Sequence, residues 1–117
     1  MQPNETVSIA DERAEESRVL RISGVLNADS AADLRGSLLG ALESADDLEL
    51  DLRGVSEIDL CGLQLLCSAH RTFRRAGREV TLTAASEAVW NAADAAGYDA
   101  RNSVCSIRNG GHCLWRR

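Results

Sequence analysis

A thiol, two imidazoles and scattered carboxylates are the groups in this chain with chemistry to offer, and their spacing limits what that chemistry can be. Cys61 stands in Ile58-Asp59-Leu60-Cys61-Gly62-Leu63, where an apolar strand gives way through a short acidic turn to a helix. A thiol nucleophile needs a base held against it. His70 lies nine residues further on, about two and a half turns up the same helix and out of reach. His112 approaches Cys61 only if the C-terminal tail folds back to it. No oriented pair is expected, so no catalytic residue is assigned.

Metal chemistry fares little better. Cys105, His112 and Cys113 form a Cys-x6-His-Cys group, but structural zinc takes four ligands with a tighter first pair, and no fourth is obvious. Cys61 and Cys67 are six residues apart, about 240° around a helix, so they do not share a face; Cys67 is expected in the core. Glu15-Glu16 and Asp46-Asp47 fall in turn-like stretches without the apolar setting of an acid–base pair, and read as solvated charge. Gly54 and Gly62 are isolated, so neither dinucleotide nor P-loop form is present and no cofactor is expected. Asp59 differs, because its place before the helix suits a carboxylate that caps backbone N–H groups.

The 117 residues suit one domain, with its own modest core and no need of disulfides. All 13 basic residues are arginine, against 18 acids, and the net charge of -5 gives no broad cationic footprint for nucleic acid or an anionic membrane. The charge is uneven: residues 1–60 hold 14 acids and 5 arginines, and residues 61–117 hold 4 acids and 8 arginines. No apolar run approaches the roughly 20 residues of a spanning helix, and the N-terminus has no signal-peptide pattern. A cytoplasmic location with reduced thiols is expected.

The elements that must position these groups follow from periodicity. Arg18–Ser23 reads as a strand ending at Gly24, Thr6–Ile9 as a weaker edge strand, and Asp11–Ser17 as a charged turn between them. Ser30 with Asp33 matches a capping box, and Ala31, Leu34, Leu38, Leu39 and Leu42 give the following helix its apolar stripe. Leu48-Glu49-Leu50-Asp51-Leu52 alternates strictly as a strand, closed by a turn at Arg53-Gly54. A helix from about Gly62 to Phe73 ends at Gly77, with Arg71, Arg74, Arg75 and Arg78 solvated around its last turn. Val80–Thr83 is a strand, and Ser86 caps a third helix with Ala88, Val89, Ala92 and Ala96 inward and Gly97 as its stop. Val104–Ile107 is a late strand or turn, and Asn109-Gly110-Gly111 sends back a tail on which Trp115 docks. The order implies an α/β fold with a mixed sheet covered by crossover helices.

Gly24-Val25-Leu26-Asn27-Ala28, the strand Leu48–Leu52 with Gly54-Val55, the Ile58–Leu63 junction and the helix after it together resemble the STAS domain, named for sulfate transporters and anti-sigma factor antagonists. The resemblance runs over about residues 6–107, leaving 108–117 as a tail of the single domain. It implies a four- to five-stranded mixed sheet flanked by helices, in a non-enzymatic regulatory module of a bacterial, cytoplasmic protein. In antagonist members a serine or threonine just before the glycine accepts phosphate, and phosphorylation releases a histidine-kinase-like ATPase. Here Gly62 matches the glycine and Asp59 the turn acid, but Cys61 occupies the acceptor place, Leu60 precedes it, and Ser56 is five residues too early.

The resemblance therefore implies a partner-binding surface at Ser56, Asp59, Leu60, Cys61 and Gly62, continued by Gln64, Ser68 and Arg71 on the helix. The partner is an ATPase of the anti-sigma or chemotaxis kinase type, or of a lipid transporter in which the domain is a fixed subunit. The Gly62–Arg71 run and the Cys-Leu-Trp tail look most like the chemotaxis-associated kind. Some relatives bind nucleotides or lipids in the same crevice, but Phe73, Trp90, Tyr98 and Trp115 offer little for such a pocket. Two readings of Cys61 stay open: a small serine-sized filler, or a thiol whose oxidation to sulfenic acid sets a polar group where relatives carry phosphate.

Overall fold

Leu48, Leu50 and Leu52 are completely or almost completely buried, and they make their strand the centre of the molecule. In the computed structural model, which describes residues 7–13, 17–44, 46–98 and 114–115, the elements run β1 (Ser8–Arg13), β2 (Ser17–Leu26), α1 (Ala31–Glu43), β3 (Asp47–Ile58), α2 (Leu60–Arg75), β4 (Val80–Ala85) and α3 (Glu87–Ala95). The sheet order is β1-β2-β3-β4, with β1 antiparallel to β2 and the other two pairs parallel. The expected mixed α/β sheet is thus present, with four strands among the described residues. The parallel pairs are joined through α1 and α2, and two right-handed crossovers stepping the same way put both helices on one face. Leu34, Leu38, Leu63, Leu66, Phe73, Val89 and Ala93 from the helices join Leu20, Ile22 and the β3 leucines in one core.

Several boundaries differ from the sequence reading, each for a physical reason. Asp11–Arg13 belong to β1 rather than to a turn, because the charges pair across the strands: Arg18 with Asp11 at 2.5 Å, and Arg21 with Glu12. β2 continues through Gly24 (φ 92°) to Leu26, and β3 continues through Arg53-Gly54 to Ile58. Gly54 pairs with Ser23, and a Cβ on it would stand 2.6 Å from the Ser23 Cβ. Glycine here marks a close approach of two strands beside register shifts in β2, not a turn.

The capping box at Ser30 does not form. Its backbone is helical (φ −95°, ψ −1°), no side-chain cap bond is made, and the hydroxyl donates to the Val25 carbonyl at 2.8 Å instead. Asp46 is not free in solvent but ion-paired with Arg13 at 3.0 Å, and Asp47 accepts the Glu79 N–H. Arg78 is likewise no solvated cation: it donates to the Leu42 and Asp46 carbonyls and lies 5.1 Å from the Phe73 ring centroid. In α3 the buried residues are Val89 and Ala93; Ala96, expected inward, is exposed because the helix has already ended. Cys67 is only half-buried, and it accepts a 3.0 Å hydrogen bond from the Trp115 indole. Trp115 is buried, stacked on Tyr98 and edge-on to Trp90, so the expected docking of that residue is seen. Thr6, Glu15-Glu16, the late strand at 104–107, the turn at 109–111 and the Cys105, His112 and Cys113 group lie outside the described residues. Among the described residues no helix is long and apolar enough to cross a membrane.

On the face away from the core, Glu12, Arg21, Asp51 and Arg53 form a ladder across β1, β2 and β3. Asp51 accepts from the Arg53 amide at 3.1 Å and from its guanidinium at 2.9 Å. The Arg53 hydrogen bond, against a smaller opposing effect of burial, holds the Asp51 carboxyl below the usual carboxylate range. Its stabilising contribution is therefore complete above the unfolded pKa and is lost as pH falls through the lower, folded one. Thermal melts at about pH 6 and about pH 3 should show a smaller acid-induced fall in Tm for Asp51→Asn than for wild type; an equal fall would assign the acid sensitivity elsewhere. Gly54→Ala should lower stability by about 1–3 kcal/mol in urea unfolding, because a β-carbon there displaces β2.

Candidate functional site

The junction between β3 and α2 is built around Asp59. Its extended backbone (φ −107°, ψ −175°) lets the carboxylate accept the Gly62 N–H at 3.1 Å, the N-cap role its position suggests. Its own N–H donates to the Leu26 carbonyl at 3.0 Å, tying the start of α2 to the end of β2. Gly62 is buried, and a Cβ there would lie 2.8 Å from Ile58 Cγ1 and 3.1 Å from Leu26 Cβ. The first turn of α2 is thereby pressed onto the ends of two strands.

That seating decides which side chains reach solvent. Leu63, Leu66, Ala69, His70 and Phe73 turn inward, so Cys61, Gln64, Ser68 and Arg71, at spacings of three and four, form an exposed stripe. Leu60 is 52% exposed beside Cys61, and Asp59 is exposed too. Ser56 is exposed but stands back in β3, where its hydroxyl donates to the Gly24 carbonyl at 3.2 Å. Of the eight residues expected at a binding surface, Gly62 alone is buried; its part is packing.

The Cys61 thiol is free and exposed, while His70 is buried on the inner side of α2. They do not face each other, as the helical spacing requires. Among the described residues no three His, Cys, Asp or Glu side chains cluster as metal ligands. What Cys61 does face is a hollow of about 380 Å³ shared with Ala31, Ala32, Arg35, Gln64 and Leu65. The sequence reading missed Arg35. Its only signal was a cation beside the apolar stripe of α1, and nothing in the sequence says which helix lies next to it.

Asp59→Ala should cost about 1 kcal/mol through loss of the cap, and Gly62→Ala about 1–3 kcal/mol through the clash with Ile58 and Leu26. Urea midpoints check both, and a neutral Gly62→Ala would show that α2 sits less tightly on the sheet than this geometry requires.

Comparison with known proteins points one way. No curated protein matches the chain significantly by sequence. Among solved structures, an anti-sigma factor antagonist from Mycobacterium paratuberculosis superposes with a TM-score of 0.75 at 15% identity, over 95% of this chain and 98% of that one. A STAS-domain antisigma-factor antagonist from Rhodobacter sphaeroides gives a TM-score of 0.56 at 24% identity, over 74% and 91%. The antagonist SpoIIAA in its unphosphorylated form gives 0.56 at 19% identity, over 64% and 71%. At such identities the likeness establishes the fold. A family model described as "Mlab, STAS domain" matches residues 9–106, and with most of its length inside that match the chain belongs to the STAS domain family.

Proposed function

We propose that this STAS domain is a regulatory protein-binding module whose docking surface is the β3–α2 junction and the exposed stripe of α2. The observation that carries the reading is the pair Leu60 and Cys61, exposed side by side on a turn fixed by the Asp59 cap and the Gly62 contact. A half-exposed leucine on a rigid turn is what a docking surface offers: apolar area to bury with little ordering to do. Among the described residues the thiol faces no histidine, since His70 is buried on the inner side of α2, and in this reading the module acts by binding.

In the antagonist relatives a hydroxyl at this place takes phosphate, which adds about two negative charges to the docking surface and releases the partner. Cys61 removes that acceptor, so this module binds without a phosphorylation off-switch. Its partner in this reading is a cytoplasmic ATPase, either a histidine-kinase-like enzyme of the anti-sigma or chemotaxis type or the ATPase of a transporter that holds the domain as a fixed subunit.

Affinity capture from the native lysate under reducing conditions, followed by mass-spectrometric identification, tests the proposal. Wild type should retain an ATPase, and Cys61→Asp, a crude mimic of the phosphate charge, should weaken retention at least about three-fold. Equal retention by both would place the interface elsewhere. Saturable stabilisation by a nucleotide with no retained protein would replace the reading with a ligand sensor.

A further inference from the structure

The hollow beside Cys61 does not end there. Further along, Arg35, Leu39, Leu42, Leu65, Ser68 and Thr72 border a second hollow of about 180 Å³ between α1 and α2. Arg35 and Leu65 line both, so the two form one trough that begins at Cys61. Its wall is apolar and only partly covered: Leu39 is 43% exposed, and Leu42 and Leu65 are half-buried.

The rim is cationic. Residues 60–78 contain four arginines and no carboxylate, in a chain of net charge -5. Arg35, Arg71 and Arg75 are exposed, and among the described residues none of them has a carboxylate partner. Arg75 stands three residues beyond Thr72, and Arg71 three beyond Ser68, so both project from the outward side of α2 next to the trough.

On the facing helix, Gly36 and Gly40 weaken α1 relative to alanine, yet neither has a positive φ, and a Cβ on either would meet nothing within 4 Å. Neither lines the trough, and among the described residues the packing gives no reason for them.

Resting on the docking reading above, we propose that the trough receives an acidic, amphipathic segment of the protein partner. Its apolar side chains seat against Leu39, Leu42 and Leu65, and its carboxylates face Arg35, Arg71 and Arg75. This is recognition by a groove that supplies apolar anchors along one line and charge along its edge. The sheet of a second copy offers few free carboxylates, since Asp11, Glu12 and Asp51 are paired within it and Asp46 is paired with Arg13. An anionic membrane fits poorly, because the trough is concave and the net charge repels such a surface.

The test places the photo-cross-linking residue p-benzoylphenylalanine at position 39 or 32 of the full chain, with exposed Thr81 on β4 as control, and maps the cross-linked peptides. Positions 39 and 32 should capture an acidic, leucine-bearing segment of the same protein retained by wild type, and position 81 should not. Arg35→Glu, whose side chain has no ion-pair partner among the described residues, should weaken retention at least about five-fold with an unchanged melt. A neutral or basic segment, a second copy of the chain, or binding to phosphatidylglycerol vesicles that Arg35→Glu abolishes would each overturn the proposal. If Cys61→Asp releases the partner while Arg35→Glu and the cross-links have no effect, the trough is refuted and the junction surface stands. If wild type retains nothing, both fall.

Discussion

The seating of the first turn of α2 on the ends of β2 and β3 is the contact on which the rest depends. Asp59 makes it with both ends of its residue, the N–H to Leu26 and the carboxylate to Gly62, and Gly62 makes it possible by having no side chain. A helix fixed at its start has its whole azimuth fixed. Leu63, Leu66 and Phe73 therefore fall into the core one after another, and every residue of the opposite stripe is delivered to solvent at a defined height. The cap and the glycine stabilise the fold and, by the same geometry, present the surface.

Charge is divided in a way that complements this. On the sheet face away from the core, Glu12, Arg21, Asp51 and Arg53 alternate in sign across strands and satisfy one another; each such pair is worth little, but together they leave little net field there. Among the described residues, Arg71 and Arg75 of α2 and Arg35 of α1 have no carboxylate partner. In an acidic protein that asymmetry gives one end a positive potential while the whole stays negative. It also gives the residue at position 61 its significance. In the proposed reading, a phosphate there would sit at a helix N-terminus in a hollow shared with Arg35 and neutralise the charge offered to an acidic partner, whereas a thiol leaves that charge available.

How much of this was legible in the sequence differs from residue to residue. The alternation of Leu48, Leu50 and Leu52 announces a half-buried strand, and a lone acid before an apolar helix announces a cap; both are local signals with one physical cause each. Gly54 was misread because glycine serves two ends, a turn and a close approach, and only the neighbouring strand with Ser23 decides between them. Ser30 was misread because a hydroxyl three residues before an acid has another acceptor, the Val25 carbonyl, that no spacing rule reveals. Arg78 was misread because its acceptors lie 36 and 32 residues away. The part of the site formed by Cys61 and α2 is contiguous and could be read; the part formed by Arg35 exists only once two crossovers have laid α1 beside α2.

The two helices that border the trough are built to different standards. α2 has a side-chain cap, arginines in its last turn and an inward face of large residues. α1 has no side-chain cap bond, no cation in its last turn and two glycines, and it is held to the core by Leu34, Leu38 and Ala41. Such a helix opens locally at lower cost than its neighbour. Its C-terminal end is nevertheless tethered, because Arg78 donates to the Leu42 carbonyl from beyond α2. Its N-terminal end is tethered as well, because Ser30 donates to the Val25 carbonyl and the Asn27 side chain accepts the Asp29 and Ser30 N–H groups, so compliance falls on the stretch between, where Gly36 and Gly40 lie. The width of the trough is set where the rigid helix and the yielding one meet, so α2 fixes the position of the proposed docking surface and α1 supplies its adjustment.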